Sequence, residues 1–325
     1  MTFRGRRSRL LPSVVAAALV VAGCGAPGAA TSCDPPARPL VIATGSPGGV
    51  YAALGDQLAG MLASSTPLAA RAVNTGSTLR NVQQLATGEY DIAFAQADGA
   101  ADAVRGQGVF AEPQKLRALG RIYSDYTQVV VSSASGITAM DGFRGKKIST
   151  GAAQSGTELI AGRLLAAAGL DRTRDVAAQT LDLPGSVAAL QAGTIDGFVW
   201  SGGLPTTAVA DLFASGAGKY TLIDVGGLLP ALQKQDDAYA AGTVPAGTYG
   251  STAAVPTITM PNLLLVRDDF PDAAACAVTR TLFTNRKALA RTVPAAAGLD
   301  PKAASNTAPV ELNAGARTAL SQLPT

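Results

Sequence analysis

Glycines and small hydroxyl residues cluster where three predicted strands end and helices begin. Residues 44–51, 74–78 and 150–157 each combine Gly with Ser or Thr and contain no Lys or Arg. A helix N-terminus exposes unpaired backbone N–H groups, and a neighbouring hydroxyl adds a further hydrogen bond. These segments therefore predict recognition of a carboxylate or phosphate without a cationic side chain. An ordinary helix N-cap explains any single segment equally well.

Histidine, the side chain that most often acts as a catalytic acid or base, is absent from this sequence. Its absence excludes Ser–His–Asp and Cys–His nucleophile pairs and removes the commonest transition-metal ligand. With only three cysteines, we expect no metal site and no cofactor. Enzymes that use carboxylate pairs or Ser–Lys exist, so a secreted hydrolase or transferase without histidine stays open as a minor hypothesis.

Strand and helix patterns alternate along the chain and predict an α/β fold with parallel strands and right-handed crossovers. A second set of such units lies between two long β-rich stretches, residues 116–133 and 254–266. This order predicts two doubly wound α/β lobes joined by crossing hinge strands, which would pass near Val129 and Thr257. A ligand would then lie between the lobes, at the carboxyl ends of their strands.

The predicted domain organisation has four parts. Residues 1–24 are a signal peptide and residues 25–39 a flexible tether rich in Gly, Ala and Pro. Lobe 1 comprises residues 40–131 plus 245–325, and lobe 2 comprises residues 132–244.

The N-terminus predicts export. Four arginines between residues 4 and 9 precede an apolar run that ends in Val21-Ala22-Gly23-Cys24. The run is too short to span a bilayer, and its end resembles a bacterial lipobox, in which the Cys is acylated. We therefore expect an extracytoplasmic lipoprotein held at the cell membrane through Cys24; a plain secretory signal is the alternative. Without these arginines the formal net charge of +3 becomes −1, so we expect no nucleic-acid partner.

Two further cysteines, Cys33 and Cys276, would lie in an oxidising compartment. This location favours a disulfide between them. Cys276 as a small buried apolar residue is an equally good interpretation.

The ordered motifs of residues 41–282 resemble the TAXI family of receptors for tripartite (TRAP) secondary transporters. The resemblance lies in segments that occur in the same order as in that family: Gly48-Gly49-Val50-Tyr51, Thr75-Gly76-Ser77 with Asn81, Gln96-Ala97-Asp98, Ser155-Gly156-Thr157, Gly193-Thr194-Ile195-Asp196 and Gly203-Leu204-Pro205. The chain departs from the family at Ala52, where a second aromatic is usual, and at Ser46 and Pro47, where a second early glycine is common.

This resemblance implies a two-lobed, periplasmic-binding-protein-like (type II) fold and a receptor that is not an enzyme. Its partners would be the integral-membrane subunits of a TRAP permease. Its ligand would be glutamate, glutamine, 2-oxoglutarate or a related small carboxylate. The main alternative is an ABC importer's receptor for an amino acid or an oxyanion, since that class uses the same clamp.

The predicted ligand-binding residues come from the junctions and the matched motifs. They are Ser46, Gly49, Tyr51, Ser77, Gln96, Asp98, Tyr123, Ser155, Gly156, Thr157, Trp200, Gly203 and Pro205. The hydroxyls would hold carboxylate oxygens, and Tyr51 and Gln96 would form a side wall.

Asp98 would accept a hydrogen bond from an ammonium group of the ligand, or would simply cap the following helix. Trp200 and Tyr123 would cover the ligand; the alternative for Trp200 is a place in the hydrophobic core. Arg121 and the pair Lys146-Lys147 are rival anchors for an anion, because they lie close in sequence to the predicted cleft strands.

Overall fold

Ten strands form one mixed sheet in the computed structural model, which describes residues 1–2 and 32–324. The strands are β1 (Arg38–Ala43), β2 (Leu68–Val73), β3 (Ile92–Gln96), β4 (Leu116–Ser132), β5 (Lys147–Ser149), β6 (Ala177–Gln179), β7 (Gly197–Gly202), β8 (Tyr220–Leu222), β9 (Ala240–Val244) and β10 (Val255–Arg267). Their order across the sheet is β2-β1-β3-β10-β4-β7-β5-β6, with β8 paired to β4 and β9 to β10.

Helices cover the sheet and follow most of the strands. Within residues 32–324 they are α1 (Val50–Ser65), α2 (Thr78–Ala86), α3 (Ala97–Arg105), α4 (Gly156–Ala167), α5 (Leu183–Gln191), α6 (Thr207–Ser215), α7 (Leu229–Gln233), α8 (Asp272–Thr284), α9 (Arg286–Thr292) and α10 (Ala314–Ser321). Side-chain caps begin several of them: Ser77 caps α2, Ser155 caps α4 and Asp182 caps α5. These are residue types that favour the N-cap position.

The long strands β4 and β10 lie side by side in the middle of the sheet and run antiparallel. On one side, β3, β1 and β2 are parallel to one another. On the other side, β7, β5 and β6 are also parallel to one another. The predicted α/β class and its two sets of parallel units are therefore present, and the two sets meet at a central antiparallel pair.

The predicted lobe boundaries fall at strand ends, since β4 ends at Ser132 and β9 at Val244. The sheet continues across both positions, and residues 32–324 belong to one compact unit. The division into two lobes that move stays a prediction. Predicted lobe 1 and lobe 2 are called the first and second halves below.

The first described residues after the predicted signal peptide are attached to the domain. β1 begins at Arg38, two residues before the predicted start of lobe 1, and Cys33 is buried. Cys33 forms a disulfide with Cys276 of α8, with 4.9 Å between their Cα atoms. The bond fixes the segment before β1 to a helix 243 residues away.

Cys24 and the rest of the predicted signal peptide from residue 3 lie outside the described residues. Within the part of the chain that is described, no helix combines the length and apolar character needed to span a bilayer.

Candidate functional site

A cavity of about 60 Å³ lies where strand ends and helix starts from both halves meet. This volume holds roughly four to six water-sized groups, which fits a small solute. Ten of the predicted residues line it: Ser46, Gly49, Tyr51, Ser77, Gln96, Tyr123, Ser155, Gly156, Thr157 and Trp200. The three Gly- and hydroxyl-rich junctions therefore do converge at one site.

Three predicted residues lie outside this cavity. Asp98 is fully buried beside it, where its Oδ2 accepts from Arg163 Nη1 at 2.8 Å and from the Tyr239 hydroxyl at 2.5 Å. A buried carboxylate needs such partners. Asp98 therefore forms an ion pair between α3 and α4. Gly203 allows close packing, since a Cβ there would lie 2.9 Å from Val50. Pro205 lines a separate, open groove.

Three cavity hydroxyls already make structural hydrogen bonds. Ser77 Oγ accepts from Arg80 N at 3.1 Å and donates to the Gln154 carbonyl at 2.5 Å, which joins the two halves. Ser155 Oγ accepts from the backbone N–H of residue 158 at 3.0 Å. Thr157 Oγ1 accepts from the backbone N–H of residue 201 at 3.2 Å. Ser155 and Thr157 act as acceptors in these bonds, which leaves their hydroxyl hydrogens available to a ligand.

A polar cluster forms the base of the cavity. Gln96 Nε2 donates to Asp125 Oδ2 at 2.8 Å and to Ser201 Oγ at 2.7 Å. The Tyr51 hydroxyl donates to Asn262 Oδ1. Within the described residues, three atoms of this cluster have no hydrogen-bond partner: Gln96 Oε1, Asp125 Oδ1 and Asn262 Nδ2. Two of these are acceptors on residues that line the cavity.

The electrostatics of the cavity are set by acids. Burial raises the pKa of Asp125 to about 6; the hydrogen bond from Gln96 and the nearby Asn262 side chain oppose the shift, and the charge of Asp98 adds to it. Asp182 also lines the cavity, but it is exposed and caps α5 through the Gly185 N–H at 2.8 Å. Among the described lining residues there is no Lys or Arg. No group of His, Cys, Asp or Glu in the described chain is arranged to hold a metal ion.

The rival cations lie elsewhere. Arg121 lines the open groove and donates to Ser124 Oγ at 3.3 Å. Lys146 donates to the Ser135 carbonyl at 2.8 Å, and Lys147 is exposed. None of them lines the cavity.

Asp125 and Ser201, two polar residues of the candidate site, were not predicted from the sequence. Asp125 lies inside the β-rich stretch 116–133, where an acid in a strand predicted to be buried is itself a signal. Ser201 follows Trp200 at the end of β7, a position equivalent to those of the predicted residues.

Residues 42–321 match the model of the NMT1-like family. The chain belongs to this family. This match does not show membership of the TAXI family, which remains a prediction.

Solved structures with the same fold include three proteins with low sequence identity to this NMT1-like chain. A protein of Bordetella bronchiseptica is 20% identical, with 87% of this chain and 88% of that chain covered and a TM-score of 0.52. The periplasmic nitrate-binding protein NrtA of Synechocystis is 13% identical, with coverage of 80% and 66% and a TM-score of 0.54. A Xanthomonas citri protein bound to ATP is 14% identical, with coverage of 88% and 99% and a TM-score of 0.50. The predicted periplasmic-binding-protein-like fold is confirmed.

Proposed function

We propose that this chain is an extracytoplasmic solute-binding receptor that delivers a small solute to a membrane importer. The observation that carries the proposal is the cavity itself. It lies between the two halves of the sheet and is lined by the starts of α1, α2 and α4. Such a crevice at the carboxyl ends of parallel strands is the usual ligand site of open α/β sheets.

The starts of α1, α2 and α4 suit an acidic group on the solute. Ser46, Ser155 and Thr157 place hydroxyls beside helix N-termini in the cavity. The positive ends of the helix dipoles and the free N–H groups stabilise an anion there without a cationic side chain. This arrangement supports a small acid as the solute, as the sequence predicts.

Contacts between the halves support closure around the solute. Besides the Ser77–Gln154 bond, Arg163 of α4 pairs with Asp98 and Asp102 of α3 at 2.8 and 2.9 Å. Gly156 of α4 also packs directly against Gln96 of β3. These contacts would break if the halves opened about β4 and β10, which supports our proposal that the described structure is the closed form of the clamp.

An ABC importer is the transporter class that we favour, and a TRAP permease is the second candidate. The TRAP hypothesis rests on the TAXI resemblance, whereas the family match is to the NMT1-like family. Solute uptake by intact cells separates the two classes. Loss of uptake on depletion of ATP, with ion gradients maintained, supports an ABC importer. Loss on collapse of the ion gradients alone supports the TRAP permease.

The receptor proposal is tested by two measurements on the purified protein. Mass spectrometry of small molecules released on unfolding identifies the solute, and calorimetry with the refolded protein measures its binding. We expect saturable binding of one solute per chain, with no chemical change in the solute after prolonged incubation. Conversion of the solute to a product would instead favour the hydrolase or transferase hypothesis.

A further inference from the structure

One continuous segment of the chain carries four cations and no acid. Residues 273–299, which contain α9 and nearly all of α8, include Arg280, Arg286, Lys287 and Arg291 but no Asp or Glu. The segment therefore carries a charge of +4, although the chain without its signal-peptide arginines has a net charge of −1. None of the ion pairs within residues 32–324 includes any of these four side chains. The described chain thus leaves a local excess of positive charge.

Three of these cations lie on one exposed face of a nearly continuous helix. Asn285 alone separates α8 from α9, and backbone hydrogen bonds continue across it in the helical pattern of four residues. Arg280, Lys287 and Arg291 follow one another at intervals of seven and four residues, a spacing that places side chains on the same side of a helix. All three residues are exposed. We call these three residues the basic face.

The chain leaves the domain towards its N-terminus beside the basic face. Cys33 is buried and is bonded to Cys276, which precedes Arg280 by about one turn of α8. Arg280 Nη2 also donates to the Cys33 carbonyl at 3.2 Å. The segment that connects the domain to the predicted lipid anchor therefore begins next to the basic face.

The length of this segment limits how far the basic face can be from a membrane. Cys33 follows Cys24 by nine residues, and a fully extended chain of this length spans at most about 30 Å. If Cys24 is acylated, the short tether gives the basic face a high effective concentration at the lipid surface, in the millimolar range for flexible linkers. A weak attraction is then sufficient for contact, and each Lys or Arg close to an anionic lipid surface strengthens binding by about fivefold.

We infer that the basic face docks on an anionic lipid surface and thereby orients the receptor on the membrane. The tether brings the face to the lipid, and complementary charge holds it there. An acidic protein surface would match the charge equally well, but the tether places lipid next to the face. This inference goes beyond solute binding, and it does not depend on which importer the receptor serves.

Vesicle binding by the chain without lipid tests the inference. Residues 25–325 contain the whole of the compact unit that includes the sheet and lack Cys24, so any binding comes from the protein surface. This chain is sedimented at low ionic strength with vesicles of phosphatidylcholine alone and with vesicles that also contain the anionic lipid phosphatidylglycerol. We expect partitioning into the anionic vesicles to be stronger by about tenfold or more. At about 0.5 M salt, where charges are screened beyond ~4 Å, this preference should disappear.

Matched pairs of substitutions assign the binding to the basic face. Lys287→Gln with Arg291→Gln removes two of its three charges and keeps residues that favour a helix, so partitioning into anionic vesicles should fall by about tenfold or more. Lys219→Gln with Lys234→Gln is the control, because both lysines are exposed, belong to none of the ion pairs within residues 32–324 and lie in the second half. This control should stay within about twofold of the unsubstituted chain. Circular dichroism verifies that each variant is folded, and Arg280→Gln with Lys287→Gln replaces the first pair if that pair does not fold.

Three outcomes overturn the inference. They are equal partitioning into neutral and anionic vesicles, a preference for anionic vesicles that persists at high salt, and equal effects of the two pairs of substitutions. Equal partitioning would favour an acidic protein as the partner of the basic face. None of these outcomes affects the receptor proposal, which fails separately if no small molecule is released from the purified protein on unfolding.

Discussion

At the residue scale, the burial of Asp125 affects stability in a way that can be measured before the solute is known. Its pKa rises from 3.8 to about 6 on folding, so between these values the folded state binds more protons than the unfolded state. The free energy of unfolding therefore decreases as the pH rises from 4 to 6 and stays lower above 6. The shift corresponds to about 3 kcal/mol.

Asp125→Asn is therefore expected to raise the free energy of unfolding at pH 7 by up to about 3 kcal/mol. Urea denaturation at several pH values measures the gain, which should shrink towards zero as the pH approaches 4. A destabilised variant at pH 7 would show that the carboxylate of Asp125 supports the fold rather than the site.

Thr157 is the hydroxyl whose contribution to binding is simplest to isolate. A hydrogen bond to a charged group contributes about 1.5–3 kcal/mol, so Thr157→Ala should weaken binding of the released solute by roughly ten- to a hundredfold. Ser155→Ala should act similarly and also destabilise α4 by about 1 kcal/mol, because Ser155 is its cap. Calorimetry and urea denaturation separate the two effects.

Arg121→Ala is the control for these hydroxyl variants. Arg121 lies in the open groove and outside the cavity, so its removal should leave affinity within about twofold of the wild type. If only Arg121→Ala abolishes binding, a salt bridge holds the solute and the cavity is not the site.

At the element scale, α4 offers a matched pair of glycines. A Cβ on Gly156 would lie 2.0 Å from Gln96 Oε1, whereas a Cβ on Gly162 of the same helix meets nothing within 4 Å. Gly156→Ala should displace the Gln96 side chain and hold the halves apart, with affinity reduced by tenfold or more, about 1.4 kcal/mol.

Gly162→Ala should keep full affinity and stabilise the protein by up to about 1 kcal/mol, since Ala favours a helix over Gly. Titration of both variants with the released solute, alongside their unfolding curves, makes the comparison. Equal affinities for the two variants would show that contact between α4 and Gln96 is not needed for binding.

The elements could be predicted because their signals are local. Apolar runs gave the strands, and the Gly and hydroxyl junctions gave the starts of α1, α2 and α4, which is why most of the cavity residues were found. Asp98 was predicted to line the site and Asp125 was not, because the partner of Asp98 is 65 residues away in α4 and that of Asp125 is 29 residues away in β3. Which acid is neutralised depends on tertiary contacts that no local pattern encodes.

At the scale of the whole molecule, the N-terminal motif predicts where the receptor is held. If Cys24 is acylated, Cys24→Ser should move the protein from the membrane fraction to the medium or leave an unprocessed precursor. Fractionation and intact-mass analysis of the wild type and the variant measure this. A wild-type chain that carries no lipid at Cys24 would contradict the predicted anchor and favour a plain secretory signal.

The two halves of the sheet are joined through β4 and β10, and this pair is where the proposed hinge lies. β4 and β10 also pair with β8 and β9, respectively, and the Thr257 hydroxyl donates to the Thr127 carbonyl between them. In the proposed opening, these contacts stay in place and the Ser77–Gln154 bond and the Arg163 ion pairs break.

Small-angle X-ray scattering with and without the solute released from the purified protein tests the central claim most directly. The receptor is expected to close around its solute, so the radius of gyration of the refolded, solute-free protein should decrease when the solute is added to saturation. Gly156→Ala should show a smaller decrease under the same conditions. An unchanged radius of gyration in the wild type, at a concentration where calorimetry shows full binding, would contradict closure of two halves around the cavity.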